Sequence, residues 1–267
     1  MDSDEVWAQR IEAALREVRG WEARIRAEPP DVDPGSLLGA DDASDPAFTL
    51  SSMAWFGLQS SVDHLAQLAD ILTAPGGAPL RPYSPFTLTR TALLAASQSV
   101  WLLSGEDRDE RLRRTALVYK DEWEHHLTYL KDYRTDPAIH SSLDLNIAGA
   151  IDGQIERLEL QLAGAKNPSL GRFSSTRMLD EAARWVSRHQ ADGWQRRAFL
   201  HEWRMGSAAA HARQWPMNFR SGKVTVDRTD KMSVRWVATT YEEIGTSLVA
   251  ATLMAQDGFR LWDEHYR

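Results

Sequence analysis

Apolar residues return every three or four positions along most of the chain, and the breaks fall where proline and glycine cluster, so the pattern predicts helices rather than strands. Residues 4–28 set Val6, Ile11, Leu15, Val18, Ile25 and two tryptophans among charged side chains, and Pro29-Pro30 stops the run. Residues 29–46 are acidic, carry proline and glycine, and read as a loop or linker. A second helix is expected from near Phe48 to just before Pro75-Gly76-Gly77. A third starts at Ser84, taken as N-cap with Pro85 in the first turn, and runs to about Ser104. Its sequence, 86-FTLTRTALLAASQSVWLLS-104, is apolar on most sides except at Arg90, which predicts a central, buried helix. Arg90 then needs an acidic or carbonyl partner, with Asp63, Asp70 or a carboxylate of the next helix as expected donors of charge.

The fourth helix, about 106–133, places Leu112, Ala116, Tyr119, Trp123, His126 or Leu127, and Leu130 on one stripe before Pro137. A fifth covers roughly 142–163 and a sixth roughly 175–190, after a Ser174-Ser175 cap. Residues 194–215 are helical up to Pro216, with a break expected around Gly206. The segment 222-GKVTVDR-228 alternates apolar and polar residues and reads as a short strand or an extended loop, and a last helix runs from about 231 to 263. The predicted fold class is all-α: one helical bundle of seven to eight helices. Its parts are an acidic N-terminal helix (1–28), a linker (29–46) and a main bundle (47–267).

Composition narrows the function classes. With 267 residues, 43% of them hydrophobic, the chain can bury a core of its own. The absence of cysteine excludes disulfides, thiolate metal sites and cysteine nucleophiles, and fits a reducing cytoplasm. No apolar run is long enough to span a bilayer, and the start, 1-MDSDEVWAQRIEAALREVRG-20, is acidic and amphipathic, so a cytoplasmic protein with no membrane association is expected. The net charge of −7 hides an asymmetry. Residues 1–50 hold 5 basic and 12 acidic side chains, whereas residues 172–228 hold 11 basic and 5 acidic.

The basic third contains 201-HEWRMGSAAAHARQW-215. Arg204 and His211 stand seven residues apart, about two helical turns, so a continuous helix would point both side chains along one face. Ala208 lies between them, and such small residues leave room for a substrate or a partner helix. A histidine can carry a proton near neutral pH, and an always-charged arginine can stabilise a developing phosphorane charge. The ordinary alternative is a surface histidine with Arg204 paired to an acid such as Glu202. Arg177, Arg184 and Arg188 recur at helical spacing upstream and, with Arg196 and Arg197, form a candidate track for an RNA backbone or else a solvated helix face.

The stretch Arg204-MGSAAA-His211 resembles the motif of the HEPN superfamily, all-helical proteins whose active members are metal-independent ribonucleases of toxin–antitoxin and antiphage systems. Met205 stands where that family usually has a polar residue. A second likeness is 90-RTALLAASQSVWLLSGEDRDERLRR-114, which looks like the arginine-bearing buried helix and following arginine-rich helix of bacterial HEPN-like proteins. Leu93 and Leu94 occupy positions where those proteins often carry an acid. The resemblance implies a HEPN-like bundle of bacterial defence or toxin type, a homodimer that faces two Arg/His pairs together, and RNA as substrate. His211 would move the proton of 2′-hydroxyl attack and Arg204 would hold the scissile phosphate, with no cofactor and no metal.

Two other readings stand beside it. The first is a non-catalytic helical protein that binds the product of a neighbouring gene through its acidic first helix and tryptophan-rich faces. The second is a histidine–metal bundle. In 121-DEWEHH-126, Glu122 and His125 form the half-motif of di-iron bundles, but no second Glu-x-x-His exists. His64, His125 or His126, and His201 or His211 could instead make a three-histidine site like that of DinB-like bundles. Trp101, Trp123, Trp185, Trp203, Trp215 and Trp236 are expected in core or half-buried positions. Phosphate-loop, dinucleotide, serine-hydrolase and H-E-x-x-H motifs are all absent.

Overall fold

The computed structural model describes residues 4–27, 31–44, 49–76, 81–136, 145–164, 170–219, 222–229 and 232–267, with the two strands described by their backbone alone. The fold class is all-α, in that every buried hydrophobic side chain of the described core lies on a helix. Nine α-helices are present among the described residues: α1 (Asp4–Arg26), α2 (Leu37–Asp42), α3 (Leu50–Leu72), α4 (Ser84–Leu103), α5 (Arg108–Thr135), α6 (Leu145–Gly164), α7 (Ser175–Val186), α8 (Trp194–Ala210) and α9 (Tyr241–His265). The extra helix relative to expectation is α2, which forms inside the stretch read as a linker. The predicted starts near Phe48 and at 142 lie outside the described residues.

The chain forms two compact units, one of residues 1–40, 51–104 and 175–267, the other of residues 41–50 and 105–174. In the first, α4 is the central helix, packed against α7, α8 and α9. It buries Leu93, Ala96, Val100, Trp101, Leu102 and Leu103, and large side chains of this kind contribute about 1.5–3 kcal/mol each. Ser84 is the first helical residue and not the cap: Tyr83 takes the N-cap position, and its side chain does not cap the helix. Helix α1 packs on α9 and turns Trp7, Ile11, Ala14, Val18 and Trp21 inward. Trp21 stacks on Phe259 at 5.2 Å between ring centres, and Trp55 lies 4.8 Å from Trp262. These tryptophans are core filler, as expected of large aromatics.

The second unit is built on α5 and α6. Asp107 caps α5 by accepting from the Glu110 amide at 2.8 Å. The buried positions of α5 are Arg111, Thr115, Leu117, Val118 and Leu130, so the inward stripe is rotated from the expected Leu112-Ala116-Tyr119 series. The cause is an ion pair. Arg111, buried, donates to both carboxylate oxygens of the buried Asp41, at 2.7 and 3.2 Å, and this bond requires Arg111 to face inward. The α5–α6 pair is held further by Arg134–Asp152 at 2.8 Å and Lys131–Glu159 at 2.6 Å.

The predicted last helix is shortened at its start. Residues Gly222–Thr229 (β1) pair antiparallel with Met232–Ala238 (β2), in a register that sets Val224 opposite Trp236 and Val226 opposite Val234. The β-branched alternation of both segments favours the hairpin over a helical start at 231. Helix α9 begins only after Thr240, whose hydroxyl accepts from the Glu243 amide at 3.2 Å while the Glu243 side chain accepts from the Thr240 amide at 3.3 Å. This reciprocal capping box fixes the first turn of α9.

Candidate functional site

Helix α8 starts at Gly193, which adopts a left-handed conformation, and lies against the first half of α4 through Gly206. A Cβ at Gly206 would sit 2.6 Å from both the Phe86 carbonyl and the Arg90 Cβ, so only glycine allows this approach. Arg90 packs there by its alkyl stem. Its Nε is buried without a partner among the described residues, and the expected partner Asp70 is taken by Arg19 at 2.6 Å.

The helix does not continue to Pro216. It ends at Ala210, where the Arg213 amide donates to the Ala208 carbonyl at 2.8 Å and the Ala212 amide to the Ala209 carbonyl at 3.2 Å. That double bond pattern is a Schellman termination, with Ala212 at φ 52° in the place usually held by glycine. His211 is therefore the C-cap, exposed, at the very end of the helix. A single-turn helix follows, Trp215–Asn218.

His211 is not among the residues lining the clefts along this helix, which draw on other positions. Positions 197, 201 and 204 follow the i, i+4, i+7 rule, so Arg197, His201 and Arg204 share one face. Arg204 and His201 make no hydrogen bond or ion pair among the described residues, and Arg197 donates only to the Asp192 carbonyl at 3.1 Å. With Trp215 and Phe219, these three line a cleft of about 450 Å³. A neighbouring cleft of about 510 Å³ shares Arg197, His201 and Phe219 and adds Trp194, Phe86, Glu202, Glu242 and Glu243. The joint cleft has Arg204 only in its first part and the carboxylates only in its second, with Arg197 and His201 in both. Its rim is aromatic: Trp194 is 64% exposed and Phe219 71%. Trp215, expected half-buried, is an exposed rim residue, and the side chain of Trp236 lies outside the described residues.

Glu202 is the chemically unusual group. Its side chain is only 9% exposed, yet no hydrogen-bond donor serves it among the described residues. Burial, reinforced by the negative charge of Glu243, pushes its carboxyl up from the ordinary 4.5 to about 7. A carboxyl in that range exchanges its proton near neutrality.

The other predicted site residues are dispersed. Arg184 and Arg196 both bond Asp180, at 2.8 and 2.7 Å, and Arg177 pairs with Glu181 at 3.8 Å. Arg188 folds over the Trp185 ring at 4.2 Å. Of the proposed RNA track, Arg197 alone reaches the cleft. Among the described residues no three histidine or acidic side chains converge as a metal-ligating group. The His64 Nδ1 donates to the Ser60 carbonyl at 2.8 Å, while His125 is exposed beside Asp121 and His126 is exposed.

No protein-family model, curated protein or solved structure matches the chain. The chemistry must be read from the cleft itself. The break expected around Gly206 does not occur: the helix is continuous from Trp194 to Ala210. The signals that point to the cleft were present: the 197/201/204 spacing on α8, and Thr240-x-x-Glu243, a capping-box signature that brings acids to the start of α9. No helix among the described residues is long and apolar enough to cross a membrane.

Proposed function

We propose that the α8 cleft binds single-stranded RNA and cleaves it by metal-independent transfer of the chain to its own 2′-hydroxyl. The observation that carries this reading is a pair of adjoining, aromatic-rimmed clefts that share Arg197 and His201, neither with an acidic partner among the described residues, the first lined also by Arg204 and the second by the buried Glu202, whose carboxyl is pushed up to about 7. Exposed aromatic faces beside cations are what unpaired bases and their phosphates require. Arg204 and Arg197 hold the scissile phosphate and stabilise the charge that develops on it. Ionised Glu202 accepts the 2′-hydroxyl proton as the 2′-oxygen bonds to phosphorus. His201 gives a proton to the departing 5′-oxygen as its bond to phosphorus breaks. The products are a 2′,3′-cyclic phosphate and a 5′-hydroxyl.

This keeps the phosphate role that the HEPN resemblance gives Arg204 and assigns proton transfer to residues lining the cleft. The bacterial defence or toxin role and the homodimer belong to the same proposal. The test is incubation of the protein with a single-stranded RNA in excess EDTA, with end-group analysis of the fragments. Cyclic-phosphate ends are expected with the wild type and with His211→Ala. Glu202→Gln and Arg204→Ala should each lose about 10²–10⁴-fold in rate. Intact RNA with the wild-type protein, or full activity in Glu202→Gln, refutes the reading.

The exposed Trp194, Trp215 and Phe219 also favour a second reading, a non-catalytic docking rim for a protein partner. A partner bound there would remain bound after Glu202→Gln, with no RNA cleaved.

A further inference from the structure

Glu242 lines the carboxylate-bearing part of the cleft, in the first turn of α9, and its side chain has no partner among the described residues. Its neighbour Glu243 already holds the Thr240 amide in the capping box. Glu202, nine-tenths buried and likewise without a hydrogen-bond donor, lines the same part. A ligand that fills this part must therefore bring donors. Trp194, exposed, lines the same cleft as these carboxylates, together with the cations Arg197 and His201, and Arg204 lines the adjoining cleft that shares those two cations. Nothing apolar would satisfy this arrangement, and neither would a ligand with acceptors alone.

We infer that the cleft selects guanine: a base stacks on Trp194 and presents its donor edge to Glu242 while its phosphate rests on Arg197 and Arg204. The inference rests on the RNA reading above and adds the base. The physical reason is the pattern of donors on each base edge. Guanine offers two adjacent donors, N1–H and the 2-amino group, which match the two oxygens of one carboxylate. Adenine and cytosine offer one amino group next to a ring-nitrogen acceptor. Uracil offers one N–H between two carbonyls, both of which a carboxylate repels. Charge-assisted, two-pronged bonds are the strong and specific ones, so the predicted order places guanine first and uracil last.

The experiment is calorimetric titration of the full-length protein with the 3′-monophosphates of guanosine, adenosine, cytidine and uridine. Guanosine 3′-monophosphate is expected to bind at least about tenfold more tightly than the uridine compound. Glu242→Gln, which keeps size and replaces one acceptor by donors, should bring guanosine down to the level of uridine, whereas Arg204→Ala should weaken all four together. A far-ultraviolet circular-dichroism melt of each variant verifies that α9 still forms. Equal affinity for the four nucleotides, or a guanosine preference that survives Glu242→Gln, overturns the base assignment and leaves the RNA reading standing. No binding of any of them overturns both.

Discussion

Glu202→Gln tests the buried carboxyl without changing its shape, because glutamine fills the same volume and cannot ionise. Glu202 has its proton affinity raised from the ordinary 4.5 to about 7, so the folded chain holds this proton more tightly than the unfolded chain. At about 1.36 kcal/mol for each tenfold change in affinity, the difference amounts to about 3 kcal/mol. The sign follows from linkage. A raised carboxyl contributes stability that is complete below pH 4.5 and is lost as the pH climbs through about 7, because the unfolded form releases the proton first. Above that range the wild-type protein carries a buried negative charge beside Glu243, and the variant does not. Urea unfolding at about pH 5 should give nearly equal stabilities, and at about pH 8.5 the variant should be the more stable by about 3 kcal/mol. In a thermal scan the alkaline difference would be about 6–12 °C. The same variant should be inactive on RNA, since the group that destabilises the fold is the one proposed to take the proton. A gain of equal size at both pH values, or a loss at pH 8.5, would refute the reasoning, because either outcome means that Glu202 is not an unpaired buried carboxyl.

Two structural variants probe the frame around the site. Gly206→Ala would push a methyl group to 2.6 Å from the Phe86 carbonyl and the Arg90 Cβ. Overpacking of this kind costs about 1–3 kcal/mol and the better helix propensity of alanine returns about 1, so a net loss of about 1 kcal/mol in urea unfolding is expected. A gain instead would show that α8 does not lie so close to α4. In the other unit, Arg111→Met leaves buried Asp41 with the half-exposed Arg108, at 3.4 Å, as its remaining partner, so the cost should fall below the about 3–5 kcal/mol of a fully unpaired buried charge, and most of it should return in Arg111→Met/Asp41→Leu. Hydrogen exchange of the α5 amides checks both; a loss below about 1 kcal/mol in the single variant would mean that the ion pair is not excluded from water.

Most of the helical frame was legible because hydrophobic periodicity is a local signal. The apolar run of α4 predicted its central position, and the proline and glycine clusters placed the end of α3 and the start of α4 within a few residues. Three departures have physical causes that local pattern does not carry. Arg111 faces inward because its counter-ion comes from Asp41, 70 positions away in the chain, and this rotates the buried stripe of α5. Helix α8 stops at Ala210 through an alanine held at positive φ, a conformation for which glycine or asparagine is the usual sequence marker. The two strands replace the start of α9 because each segment pairs along its backbone with the other, which a one-segment reading misses. For the site, the basic character of α8 and Arg204 was legible. The role of Glu202 was not, because its unusual proton affinity arises from burial and from Glu243, and both are tertiary.

The tie between Asp41 and Arg111 bears on how this protein could have been assembled and how it can be taken apart. The second unit is drawn from two stretches, 41–50 and 105–174, with 51–104 belonging to the first unit. It therefore cannot be inherited, swapped or expressed as one continuous cassette. A fragment starting at residue 105 would keep the arginine and leave its anion behind. Any ancestral insertion that added α5 and α6 had to recruit an acid already present upstream of α3, or wait for one. The α5–α6 pair is thus committed to this chain, whereas the cleft on α8 draws all its lining residues from the other unit.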